Sequence, residues 1–135
     1  MRTAITAIAS LTLLGLVPVH AAATERSTRA AAELARALEG RVAGKPVDCL
    51  NLRDIRSTRI IDRTAILYET TGGTIYVNKP EGGATSLDKW DVLVTDTRSP
   101  QLCNIDIVRL FDTGSHIESG FVNLGEFVPY RKAGN

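Results

Sequence analysis

Asp112-Thr113-Gly114-Ser115, preceded by the apolar pair Leu110-Phe111, has the residue types of a peptide-hydrolysing loop. In that chemistry a carboxylate shares one proton with a twin, because two adjacent like charges do not both ionise. One loop supplies one carboxylate, so the chain would have to dimerise. Only 20 residues follow Ser115, too few for the flap and the downstream apolar-apolar-Gly element that such a site uses. Asp-Thr-Gly also reads as an ordinary turn ending a strand, and that is the expectation here. His116 is the base that any Ser-His-Asp or Cys-His site would need, because the other histidine, His20, lies in the N-terminal leader. No G-x-S-x-G elbow accompanies it, and a loop position at the surface is the simpler reading.

Three further patterns are weaker. Ser86-Leu87-Asp88-Lys89 has the S-x-x-K spacing of a lysine-activated serine, but the partner motifs are missing, so Ser86 reads as a turn hydroxyl. Arg53, Arg56, Arg59 and Arg63 could gather an anion, yet Asp54 and Asp62 lie among them and local pairing on a solvated strand face accounts for them. A metal site would need more histidine, free cysteine or a tight carboxylate cluster, and the acids are scattered. No catalytic, cofactor-binding or metal-binding residue is assigned, and no cofactor is implied.

The N-terminus places the protein. Arg2 is followed by an uncharged, mostly apolar run from Ala4 to Val17 that Pro18 ends, and Val19-His20-Ala21 and Ala21-Ala22-Ala23 both satisfy an A-x-A-like cleavage rule. The run is shorter than the roughly 20 residues of a membrane-spanning helix. Residues 1–23 therefore read as a Sec-type signal peptide cleaved after Ala21 or Ala23, and the mature protein as periplasmic or secreted. No cysteine follows either point, so no stable membrane anchor is expected after cleavage. Once Arg2 leaves, the 16 Lys and Arg become 15, equal to the 15 Asp and Glu. A neutral chain with three Phe, three Tyr and one Trp has neither the charge nor the stacking platforms for nucleic acid.

Two cysteines remain, Cys49 and Cys103. In an exported protein they are expected to form a disulfide, since only one pairing exists. A redox-active pair would want C-x-x-C spacing instead.

The elements follow from periodicity. Residues 27–43 predict a helix, with Ser27 or Thr28 as N-cap, a stripe of Leu34, Leu38 and Val42 beside Ala31 and Ala35, and Gly44 and Pro46 as its stop. Residues 24–46 thus form an N-terminal helix and linker, and 47–131 a β-rich domain. Strands are predicted over 47–52, 58–61, 64–71, 74–78, 90–95, 105–111 and 127–130. Gly72-Gly73 predicts a two-residue hairpin turn in which Tyr68 faces Val77 and Thr70 faces Ile75. That register puts Ile66, Tyr68, Ile75 and Val77 together in the core. Trp90, Val92 and Val94 are in phase. The segment 105–111 is apolar on both faces, with Ile105, Ile107 and Phe111 on one and Val108 and Leu110 on the other, which marks a central strand. Residues 131–135 read as frayed. The fold class is mainly β (α+β): a small antiparallel β-barrel or roll of about six strands with one N-terminal amphipathic helix.

Gly44-Lys45-Pro46-Val47-Asp48-Cys49, Ile55-x-Ser57-Thr58-Arg59-Ile60-Ile61-Asp62, Tyr76-x-Asn78, Leu102-Cys103-x-x-Asp106 and Leu124-Gly125-x-Phe127-x-Pro129 occur in an order that resembles a family of small exported proteobacterial proteins of unknown function. The resemblance covers most of residues 40–130. It implies a secreted or periplasmic single domain and brings no catalytic residues with it. Members often carry a second cysteine pair at positions matching Ala84 and Val122. Both are absent together here, which supports Cys49–Cys103 as the other bridge. The expected function is non-enzymatic, a small β domain binding an envelope component or a protein partner of the cell envelope. The alternatives are a small periplasmic hydrolase using Asp112 or His116, and a small-ligand carrier using the interior of a barrel.

Overall fold

The computed structural model describes residues 20–134. Residues 1–19 of the expected 1–23 leader lie outside the described residues, and the expected cleavage after Ala21 or Ala23 falls at the start of the first helix, α1 (His20–Ala37). Removing residues up to Ala23 takes only the first turn of α1. The side chains that dock it, Ala30, Leu34, Ala37 and the adjoining Leu38, all stay.

The helix is shorter at its C-terminal end than the periodicity predicts. Leu38 N still donates to Leu34 O, but Gly40 turns left-handed at φ +69° and the chain leaves as a strand, β1 (Arg41–Ala43). The stop is therefore Gly40 rather than Gly44, because only glycine takes that conformation without steric cost. Val42 leaves the stripe and is exposed on β1. Nor is Thr28 a cap: its Oγ1 donates back to the carbonyls of Thr24 and Glu25 within the helix.

The remaining strands are β2 (Cys49–Asn51), β3 (Ile55–Ile61), β4 (Ala65–Thr70), β5 (Ile75–Asn78), β6 (Asp91–Thr95), β7 (Gln101–Cys103), β8 (Ile107–Asp112), β9 (Glu118–Asn123) and β10 (Phe127–Lys132). Short 3-10 turns occupy Leu52–Asp54 and Ala84–Ser86. The strands form three antiparallel sheets among the described residues, in the orders β1-β10-β5-β4-β3, β2-β7 and β6-β8-β9. The chain is mainly β, as expected, but the described residues form no closed barrel and hold ten strands, more than the expected barrel or roll has. The strand expected over 127–130 runs on as β10 into residues expected to fray. It lies between β1 and β5, with Arg131 and Lys132 paired to Val42 and Arg41.

The reason no barrel closes is visible in β4. Ala65, Ile66, Leu67 and Tyr68 are all buried, so both faces of the five-stranded sheet are covered, whereas a barrel wall has solvent outside. One face packs with the two smaller sheets around Ile60, Ile66, Tyr68, Leu102, Val108, Leu110 and Phe127. The other face packs Ile61, Ala65, Leu67, Ile75 and Val77 under α1. The result is layered: helix, five-stranded sheet, then the smaller sheets.

Two faces also explain a register difference in the central hairpin. Thr70 N donates to Thr74 O and Gly73 N to Thr70 O, with Gly73 at φ +78°. This is a three-residue loop ending in a left-handed glycine, not the predicted two-residue turn. The extra residue slips the pairing by one, so Tyr68 faces Tyr76 and Leu67 faces Val77. A one-residue slip exchanges faces. Ile66, Tyr68 and Tyr76 point to one core, Leu67, Ile75 and Val77 to the other.

Tyr68 packs edge-on against Phe127, ring centroids 5.7 Å apart, and its buried hydroxyl has no hydrogen-bond partner among the described residues. Burial pushes the phenol above its ordinary range. The unfolded chain therefore loses this proton before the folded one does, so stability is complete below about pH 10 and falls as pH rises beyond it. Tyr68→Phe is expected to leave stability at neutral pH unchanged or higher by up to about 1 kcal/mol, and to reduce this alkaline loss. Urea unfolding at neutral and alkaline pH checks both.

Candidate functional site

The residues singled out for catalysis are engaged in structural work. Asp112 ends β8, and its Oδ1 accepts from Ser115 N at 2.5 Å and Gly114 N at 3.1 Å, closing the turn toward β9. Those bonds to Ser115, with the charge of His116 adding to them, hold the carboxyl below the usual carboxylate range. A proton-sharing dyad needs one carboxyl shifted the other way. Asp91 lies opposite Asp112 across β6 and β8, but its Oδ2 accepts from Ser119 Oγ at 2.8 Å. His116 is exposed in the turn at φ +59°. The turn-closing contribution of Asp112 is present above the ordinary carboxylate range and is lost as pH falls through its lowered value. A carbon-detected NMR titration should place its midpoint below the 3.9 or so of a free aspartate.

Ser86 ends a 3-10 turn, while the Lys89 ammonium lies 5.4 Å from the centroid of the Trp90 ring. Local pairing of the arginines with Asp54 and Asp62 does not occur. Arg56 reaches across the hairpin to Glu69 at 2.6 Å, and the Asp62 carboxylate accepts from Lys89 N. Arg59 borders an open cleft of about 250 Å³ beside the end of α1, floored by Leu67 and Ile75. No group of three or more metal-ligating side chains comes together among the described residues.

Cys49 and Cys103 are bonded to each other. They face one another in the two-stranded β2–β7 pairing. Asp106, which shares their motif, accepts from Cys103 N through Oδ2 at 2.7 Å and fixes the turn after the bridge.

What the structure leaves open is the outer face of the β6-β8-β9 sheet. Alternation along β8 sends Val108 and Leu110 into the core and Ile107, Arg109 and Phe111 outward. Register then builds two outward rows, Val94–Arg109–Phe121 and Val92–Phe111–Glu118. No described residue covers them. Val92 is 50% exposed, Phe121 55%, Ile107 59% and Trp90, just ahead of β6, 66%. The expectation that 105–111 is a central strand holds for its pairing, since β8 lies between β6 and β9, but Ile105 and Ile107 face solvent rather than a core. Likewise the in-phase set Trp90, Val92 and Val94 points away from the core, which Leu93 contacts instead.

The charges on the strands of this face are one ion pair. Arg109 Nη1 lies 3.5 Å from Glu118 Oε2, both about half exposed, and the guanidinium is stacked 5.5 Å from the Phe111 ring centroid. Trp, Phe and Arg around aliphatic neighbours are the residue types enriched in interface cores, whereas Lys and Asp are depleted there. Sequence reasoning missed Phe121, because Glu118-Ser119-Gly120-Phe121-Val122-Asn123 holds one glycine and three polar residues and shows no strand-like alternation. No known protein family, characterised protein or solved structure matches this chain, so the reading of the surface rests on its own geometry.

Proposed function

We propose that the mature chain is an exported, non-enzymatic binding domain that docks a protein partner of the cell envelope on the outer face of the β6-β8-β9 sheet. The observation that carries this is the exposure of Val92, Ile107 and Phe121 on one face of the β6-β8-β9 sheet, around Arg109 and Phe111, with Trp90 exposed in the turn just ahead of β6. A soluble protein rarely leaves so much apolar surface contiguous without using it. Placement outside the cytoplasm is supported by the leader-like N-terminus and by the Cys49–Cys103 bridge, which a reducing compartment would not maintain. No described helix is long and apolar enough to cross a membrane. Membership in the family of small exported proteins is supported by the motif order. The turn holding Ala84 also packs against β9, which carries Val122, as a second bridge in relatives would require.

The test is a photo-crosslinking amino acid placed at Val92 or at Phe121 in the exported protein, in cells. Both positions are expected to yield a discrete crosslinked band, and Arg29 on the exposed side of α1 none. Absence of a band from both face positions would overturn the proposal.

A further inference from the structure

We infer that the occupant of this face is a second copy of the same chain, packed sheet against sheet about a twofold axis. The inference rests on the reading of the face as a docking surface and names its partner. Three features of the face favour a copy of itself over an unrelated protein.

First, the charges are self-complementary. Arg109 on the central strand β8 and Glu118 at the start of the edge strand β9 sit beside each other on the sheet face, and Lys89 lies over the Trp90 ring at its end. A twofold rotation about an axis through the patch brings each copy's Arg109 toward the other's Glu118, because an isologous interface places residue i on j and j on i. A partner charged with a single sign would gain from one of these groups and be repelled by the other. Secondly, the area matches. Trp90, Val92, Ile107 and Phe121, with the partly exposed Val94 and Phe111, present on the order of 500 Å² of apolar surface. A standard interface buries about 800 Å² per partner, a little over half of it apolar, so this one face is enough for a dimer. Thirdly, the surface is a regular strand array without a groove, and face-to-face packing of two sheets is the ordinary way such an array buries apolar side chains.

In the dimer the Phe121 rings and the Arg109–Phe111 stacks lie at the centre and Trp90 at the rim, with Asn123 and Thr113 left to solvent. Sedimentation velocity of the oxidised protein across the micromolar range is expected to show a monomer–dimer equilibrium. Trp90 is the sole tryptophan, so its emission should shift to the blue as dimer forms. Phe121→Arg should raise the dissociation constant about tenfold or more and abolish the concentration-dependent shift. Because the side chain is exposed, its unfolding midpoint should match wild type when both are measured at a dilution where wild type is monomeric. Arg109→Glu should weaken association by placing acid against acid, and the charge-swapped pair Arg109→Glu with Glu118→Arg should restore it.

A wild-type protein that stays monomeric at the highest concentrations, or a dimer indifferent to Phe121→Arg, would overturn the inference. The two levels of the account separate cleanly. A monomer that still crosslinks to a different protein through Val92 or Phe121 removes the homodimer and leaves the docking surface. A monomer with no crosslink removes both.

Discussion

Cys49→Ala combined with Cys103→Ala is expected to lower the unfolding free energy by about 4 kcal/mol, and reduction of the native protein to do the same. The bridge spans 54 positions and joins β2 to β7, the smallest of the three sheets, whose three-residue strands contribute few ladder bonds of their own. Closing a loop of that length removes a large share of the unfolded chain's freedom, and a domain of this size has only about 5–15 kcal/mol in total. The melting temperature should fall by roughly 15 °C. Leu50 and Leu102, which flank the cysteines and belong to the core, give the loss a structural signature. Hydrogen exchange should accelerate first in 49–51 and 101–103. A melting temperature unchanged by reduction would show that β2 and β7 hold without the link.

Asn78→Leu is expected to cost about 3 kcal/mol although it replaces a polar side chain in the core by an apolar one of similar size. Asn78 is fully buried at the end of β5. Its Nδ2 donates to Gly125 O at 2.5 Å and its Oδ1 accepts from Gly125 N at 3.2 Å. Both backbone groups of a buried residue depend on that one amide. Leucine leaves them without partners, and an unmet buried donor or acceptor costs more than a made bond gains. Asn78→Asp sharpens the test. An ionised aspartate still accepts from Gly125 N but turns a charged oxygen on Gly125 O, whereas the protonated form donates there as the amide does. The variant should therefore be more stable near pH 5 than near pH 8, a slope opposite to that of an ordinary exposed aspartate. Urea unfolding at the two values checks it, and equal stability would mean that water replaces the side chain.

How far the sequence carried the structure depends on what decided each feature. The strands that matter were legible from β-branched alternation over 58–61, 64–71 and 74–78, and the disulfide from two cysteines in a chain whose N-terminus reads as an export signal. Features decided by the packing of distant elements were not. Leu34 and Leu38 signal a docking stripe correctly, but Val42 continues the same spacing after Gly40 has already ended the helix. Gly72-Gly73 permits both a two-residue and a three-residue loop. The choice follows from burying Ile66 and Tyr68 on one face of the sheet and Leu67 and Val77 on the other. Residues 107–111 are apolar on both sides, which reads as a strand buried on both sides. Only the layer order reveals that helix α1 covers the five-stranded sheet and that no described element covers the outer face of the β6-β8-β9 sheet. Surface apolarity is thus the signal that periodicity alone mistakes for core, and the candidate site stood in the sequence under that disguise.

The central claim is that the face carrying Trp90, Val92, Ile107 and Phe121 is covered when the protein is at work. Hydroxyl-radical footprinting in intact cells, compared with the purified protein at high dilution, measures this most directly. The account predicts strong protection of Trp90 and Phe121 in the cell, with Val42 on β1 modified equally in both settings. Equal modification of Trp90 and Phe121 in the two settings would contradict it.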